Sequence, residues 1–132
     1  MSEFLIAFVS SLIAFTALDF VWLGFAANKI YRPNLREVMS DKVRWKPAIA
    51  FYLLYALGMT LLVILPSLGP VAQPRALFDG AILGLVAYAT YNLTNWSTLK
   101  QWSPLVAFVD MAWGAILTAA ACWIGITLTM MI

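Results

Sequence analysis

Two short strings carry the residues best suited to chemistry: Asp19-Phe-Val-Trp22 early in the chain and Asp110-Met-Ala-Trp113 near its end. A carboxylate and an indole at i and i+3 share one side of a helix, so each string offers an acceptor and a donor together. A third string, Ala87 to Thr98, holds Tyr88, Tyr91, Asn92 and Asn95 at i, i+3, i+4 and i+7, the spacing of one helix face. Lipid satisfies neither carboxamides nor phenols, so that face is expected to look inward, at other helices or a water-filled cavity. A carboxylate placed there can accept or donate a hydrogen bond or exchange a proton. Two that approach each other can share one proton and titrate as a pair.

Residues of these types must be positioned by elements that suit an apolar surrounding. Of 132 residues, 64% are hydrophobic and 11% charged, and the mean hydropathy is +0.90. A soluble domain of this length needs far more polar surface, so the composition is that of an all-α integral membrane protein. Four apolar stretches approach or exceed the roughly 20 helical residues that cross a hydrocarbon core: Phe4 to Ala27, Pro47 to Leu65, Leu77 to Thr98 and Leu105 to Met131. They predict a single domain, a bundle of four transmembrane helices over residues 1–132. The first stretch follows Glu3 rather than basic residues and is too long for a signal peptide, so it is expected to remain as a helix.

Six of the eight basic residues, Lys29, Arg32, Arg36, Lys42, Arg44 and Lys46, fall in the connection 28–46. The bias of basic residues toward the cytoplasm then places this connection and the one holding Lys100 inside, with both termini on the far side of the membrane. Leu35, Val38, Met39 and Val43 recur at helical spacing there, and Asn34 precedes Glu37 by three residues. The pattern fits a short amphipathic interfacial helix capped by Asn34 and anchored by Trp45, or equally a solvated loop. Pro66, Gly69, Pro70 and Pro74 predict a turn-rich second connection that continues neither neighbouring helix. Gly80 and Gly84 form a GxxxG pattern, with Tyr88 at the same spacing, which predicts close helix packing.

Topology and depth combine. Asp19 lies eight residues before the inner end of the first span and Asp110 five after the inner start of the fourth, so at about 1.5 Å per residue both sit at similar depth in the cytoplasmic half. Asn92, Asn95, Tyr52 and Tyr55 reach the same slab. Tyr52, Tyr55, Tyr88 and Trp22 read individually as packing or interfacial residues. Asp79, near a helix start, needs no special role. Interhelical hydrogen bonds in membranes average about 0.6 kcal/mol, whereas inserting an aspartate costs about 2.5–3.5 kcal/mol. The imbalance favours a functional role for Asp19 and Asp110 over simple glue.

Several chemistries are excluded. The chain has no histidine, which removes His-ligated zinc, iron and haem. Lys29, Lys42, Lys46 and Lys100 lie outside the apolar stretches, so no retinal-type lysine is expected, and no cofactor or metal is predicted. Cys122, the single cysteine, reads as a packing residue. The basic residues are explained by topology, which leaves no patch for nucleic acid.

The stretch GLVAYATYNLTNWSTLKQWSPLVAFVDMAWGAILTA, with LDFVWLG and the following Tyr31-Arg32, resembles the bacterial membrane proteins catalogued as domain of unknown function 2177. The resemblance covers essentially the whole chain. It implies a compact four-helix inner-membrane protein, and Asp19, Trp22, Tyr91, Thr94, Asn95, Asp110, Trp113 and Gly114 match the family pattern. Members commonly have Asp-Leu-Thr-Asn where this chain has Asn92-Leu-Thr-Asn95. A mechanism requiring a carboxylate at position 92 therefore does not carry over, while hydrogen bonding does.

The residues predict a polar aromatic pocket of Asp19, Trp22, Tyr88, Tyr91, Asn92, Asn95, Asp110 and Trp113, with Lys29, Arg32 and Arg36 as a headgroup-binding rim. The leading expectation is a protein that binds, and in one version modifies, a membrane lipid or fatty-acyl-like lipophile. The alternatives are a small proton-coupled transporter acting as a homo-oligomer, and a structural or accessory subunit.

Overall fold

A computed structural model describes residues 2–132. It consists of four long helices, each apolar enough to cross a membrane: α1, Glu3–Leu35; α2, Trp45–Ser67; α3, Ala72–Thr98; and α4, Pro104–Met131. Ser2 and Ser103 start α1 and α4 by accepting the amides of Leu5 and Val106 at 3.3 and 3.2 Å. Pro104, at the first position of α4, loses no hydrogen bond there.

The helices are longer than the apolar stretches, and the difference has a cause. α1 does not stop at Ala27 but widens into a π turn over Ala27–Tyr31 and runs on to Leu35. α2 does the same, with a π turn over Thr60–Ile64 before its last turn, Leu65–Ser67. Each π turn is followed two residues later by a proline, Pro33 or Pro66. A proline ring presses on the carbonyl four residues back, here at Lys29 or Leu62, and both carbonyls lie in the widened turn that gives them room. Pro66 therefore sits within α2 rather than ending it.

The predicted interfacial helix does not form. Leu35 is the last residue of α1, and residues 36–44 are turn, bend and irregular backbone. Asn34 caps nothing, because its side-chain amide donates back to the Ile30 carbonyl at 2.7 Å within the continuing helix. α3 starts at Ala72, five residues before Leu77. Pro74 falls in its first turn, where backbone donors have no intrahelical partner in any case. Gly69, at φ 146°, closes the short α2–α3 connection in a backbone conformation that residues with a Cβ rarely adopt.

Helix α4 is the centre of the bundle. It packs along α3 and α1, while α2 packs along α1 and also meets α4 and α3 through Thr60–Ile64. The α3–α4 contact is made by the small residues: a Cβ on Gly84 would run into the Gly114 carbonyl and Thr118 Oγ1, and one on Gly114 would run into the Tyr88 ring. Gly80 lies against Ala119, Cys122 and Thr118 in the same way, which leaves Cys122 wholly buried as a packing residue. The helices α2 and α3 meet mainly through the last turns of α2, over Thr60–Ser67, and their backbones part over the remainder.

Candidate functional site

Both aspartates lie where the loops 36–44 and 99–103 close the bundle, an end called the basic end below. Asp19 is buried. Its Oδ2 accepts from the Tyr52 hydroxyl of α2 at 2.7 Å and its Oδ1 from the Trp113 indole of α4 at 3.2 Å. Asp110, half-buried on α4, accepts from the Tyr31 hydroxyl of α1 on Oδ1 at 2.8 Å and from the Asn92 amide of α3 on Oδ2 at 2.7 Å. All four carboxylate oxygens are thus engaged by donors from other helices.

The two Asp-x-x-Trp strings interlock. Trp113 reaches across to Asp19, while Trp22 donates to the Tyr31 hydroxyl at 3.0 Å, and that hydroxyl in turn donates to Asp110. The indoles of Trp22 and Trp113 stack between the carboxylates, with centroids 4.7 Å apart and planes 17° from parallel. The sharing of one proton between the aspartates is not what this geometry provides, since neither carboxylate hydrogen bonds to the other among the described residues. They are joined by a ring stack, which moves no proton.

Tyr31 is the partner that spacing conceals. The buried stripe of α1 runs Ala7, Ser11, Phe15, Asp19 and Ala26, and a regular helix would next present Lys29 or Ile30. The π turn adds a residue and brings Tyr31 onto the stripe instead, 8% exposed and aimed at Asp110. Only the chain's resemblance to known sequences hints at Tyr31. Tyr52 and Tyr55, expected merely to pack, make specific bonds as well: Tyr55 and Thr118 share a hydrogen bond of 2.8 Å between α2 and α4.

The face expected to look inward on α3 is divided. Asn92 is wholly buried, and Tyr88 lies half-buried against Gly114. Tyr91, however, is 56% exposed and Asn95 is outside the set that bonds either aspartate. The reason is that α3 packs mainly on one neighbour, α4, so its buried stripe is a narrow run of i+4 steps: Ala72, Ala76, Gly80, Gly84 and, after Tyr88, Asn92. Tyr91 and Asn95 flank it, and Tyr91 meets Trp102 edge-on at 5.6 Å.

The family model described as a predicted membrane protein, DUF2177, matches residues 4–127. The chain belongs to that family. No curated protein and no solved structure matches it.

In this DUF2177 member two hollows reach Asp110. A lateral cleft of about 260 Å³ opens between α2 and α3, walled by Phe51, Ala87, Tyr88 and Tyr91. A second cavity, of about 240 Å³, lies between α1, α3 and α4 at the basic end, and it shares Tyr91 and Asp110 with the cleft. The residues expected to rim the pocket line neither. Lys29 stands 4.6 Å over the Phe25 ring, Arg32 is exposed on the last turns of α1, and Arg36 borders a separate polar hollow with Gln101. The other carboxylate expected to be ordinary, Asp79, pairs with Arg75 at 3.5 Å on the exposed start of α3.

Proposed function

We propose that this protein is a multi-pass bacterial inner-membrane protein that binds a lipophile entering sideways from the bilayer between α2 and α3, with its polar end at Asp110. The observation that carries the reading is the parting of α2 from α3 beside Asp110, which gives a carboxylate at membrane depth an apolar approach walled by aromatic rings. A polar network serving only to hold helices together has no need of such an opening. The basic residues of the 36–44 loop and its flanks support a cytoplasmic position for this end, with both termini in the periplasm.

Transport through one protomer is less well supported. The hydroxyls that continue past Thr118 toward the termini, on Ser11, Thr60 and Thr129, each return to a carbonyl of their own helix. Beyond Tyr55 and Thr118 the interhelical side-chain bond found is Gln73 to Thr127, and no continuous hydrogen-bonded chain joins it to the aspartates among the described residues.

Native mass spectrometry of the gently extracted protein tests the reading. One defined lipophile is expected on the wild type, reduced in Asp19→Asn and lost in Asp110→Asn, and the same spectra report whether the protein is a monomer or an oligomer. A wild type carrying only bulk phospholipid, with both variants indistinguishable from it, contradicts the proposal.

A further inference from the structure

Asn92 is wholly buried, and its amide has one orientation. Nδ2 donates to the Tyr88 carbonyl at 2.9 Å and to Asp110 Oδ2 at 2.7 Å. Both partners are acceptors, so exchanging nitrogen and oxygen would set like against like. The two amide hydrogens are used, and Oδ1 is left with no partner among the described residues. Trp102 Nε1 is its complement, a buried N–H with no acceptor. Buried groups of this kind are uncommon in folded proteins.

Both side chains line the same cavity at the basic end, together with Leu23, Tyr31, Met39 and Asp110. At about 240 Å³, the cavity exceeds the roughly 30 Å³ that one water occupies in the liquid. The two unmatched atoms belong to residues of its wall and ask for opposite things. Asn92 Oδ1 requires a donor and Trp102 Nε1 an acceptor. A hydroxyl group is both at once. An ionised carboxylate brings acceptors only and would face Asn92 Oδ1 and the Asp110 carboxylate, with none of Lys29, Arg32 or Arg36 lining the cavity to offset it. An ammonium brings donors only and would face the Trp102 N–H.

The cavity and the lateral cleft share Tyr91 and Asp110. A molecule with its chain in the cleft can therefore place its head in the cavity. We infer that the basic-end cavity is a headgroup site for an uncharged hydroxyl-bearing lipophile, of the long-chain alcohol or acylglycerol class, which donates to Asn92 Oδ1 and accepts from Trp102 Nε1. This rests on the lipid-binding reading above and narrows it from lipophiles in general to neutral hydroxylated ones.

The test is a titration of nitrogen-15-labelled protein in phosphatidylcholine nanodiscs with hexadecan-1-ol, ionised hexadecanoate and hexadecane. Six tryptophan indole N–H signals are read, since the chain has 6 Trp, and that of Trp102 is assigned by its loss in Trp102→Phe. Hexadecan-1-ol is expected to move the Trp102 signal downfield, while hexadecanoate and hexadecane leave it in place. Trp102→Phe, which keeps a ring against Tyr91, is expected to weaken hexadecan-1-ol binding about fivefold to tenfold, the usual worth of one hydrogen bond. If all three probes shift the Ala87 and Tyr88 amides equally and the Trp102 signal stays still, a lipid cleft stands but the hydroxyl site is overturned, its polar atoms being met by water. If no probe shifts either set, the inference and the lipid-binding reading both fall.

Discussion

At the basic end, five hydrogen bonds reach from one helix to another: Tyr52 and Trp113 to Asp19, Tyr31 and Asn92 to Asp110, and Tyr55 with Thr118. Toward the termini, the hydroxyls of Ser10, Ser11, Thr60 and Thr129 turn back to carbonyls of their own helices, and the interhelical bond found there is Gln73 to Thr127 at 3.1 Å. A hydroxyl returned to its own backbone is satisfied without fixing any neighbour. An interhelical bond fixes which residues face each other. The terminal end is instead held by fit: a Cβ on Gly125 would press on Ile64 and Ser11. The difference teaches that directional bonds at the basic end fix the helices where close packing is given up, so that α2 and α3 can part there without the bundle losing its register.

That comparison can be broken at several points. The largest effect is expected where two helix backbones touch. Gly84→Ala sets a methyl against the Gly114 carbonyl, which is backbone and cannot swing away, and should destabilise the bundle by about 3 kcal/mol. Reversible unfolding in mixed micelles measures it. Asp110→Asn comes next. The amide offers one oxygen where Tyr31 and Asn92 present two donors, so one is left unmatched, at about 2 kcal/mol in the same assay. A smaller and sharper contrast comes from double-mutant cycles. Tyr55→Phe with Thr118→Val, which share one hydrogen bond between α2 and α4, should couple by about 0.6 kcal/mol, the average for membrane interhelical bonds. Ser11→Ala with Thr60→Ala should couple by about zero, because neither hydroxyl serves the other helix. Equal coupling at both ends would erase the distinction.

Much of this architecture is legible in the sequence, and what is hidden has physical causes. Length and hydropathy define four spans, and depth counting brings Asp19 and Asp110 into one slab because straight helices keep a constant rise. The GxxxG spacing of Gly80 and Gly84 translates directly into contact with α4. Register is what a regular period misreads. The π turn at Ala27–Tyr31 shifts every residue after it, so Tyr31 replaces Ile30 on the buried stripe and the basic connection begins as helix. The π turn at Thr60–Ile64 likewise lets Pro66 continue α2. The face of α3 is misjudged for another reason: how wide a polar stripe is buried depends on how many neighbours a helix has, and no spacing rule reports that. The interlocking of the Asp-x-x-Trp strings follows from α1 and α4 packing side by side, a fact of topology rather than of either string.

Lipophile entry between α2 and α3 is tested most directly by cross-linking in the native membrane. A photoreactive benzoyl-phenylalanine replaces Phe51, which walls the cleft, or Phe78, a lipid-exposed position on α3 away from it. After irradiation, the adducts are identified by mass spectrometry. The account predicts one dominant lipophile captured at position 51, absent at 78 and lost when Asp110→Asn is added. The same mixture of bulk phospholipids at both positions, unchanged by Asp110→Asn, would contradict it.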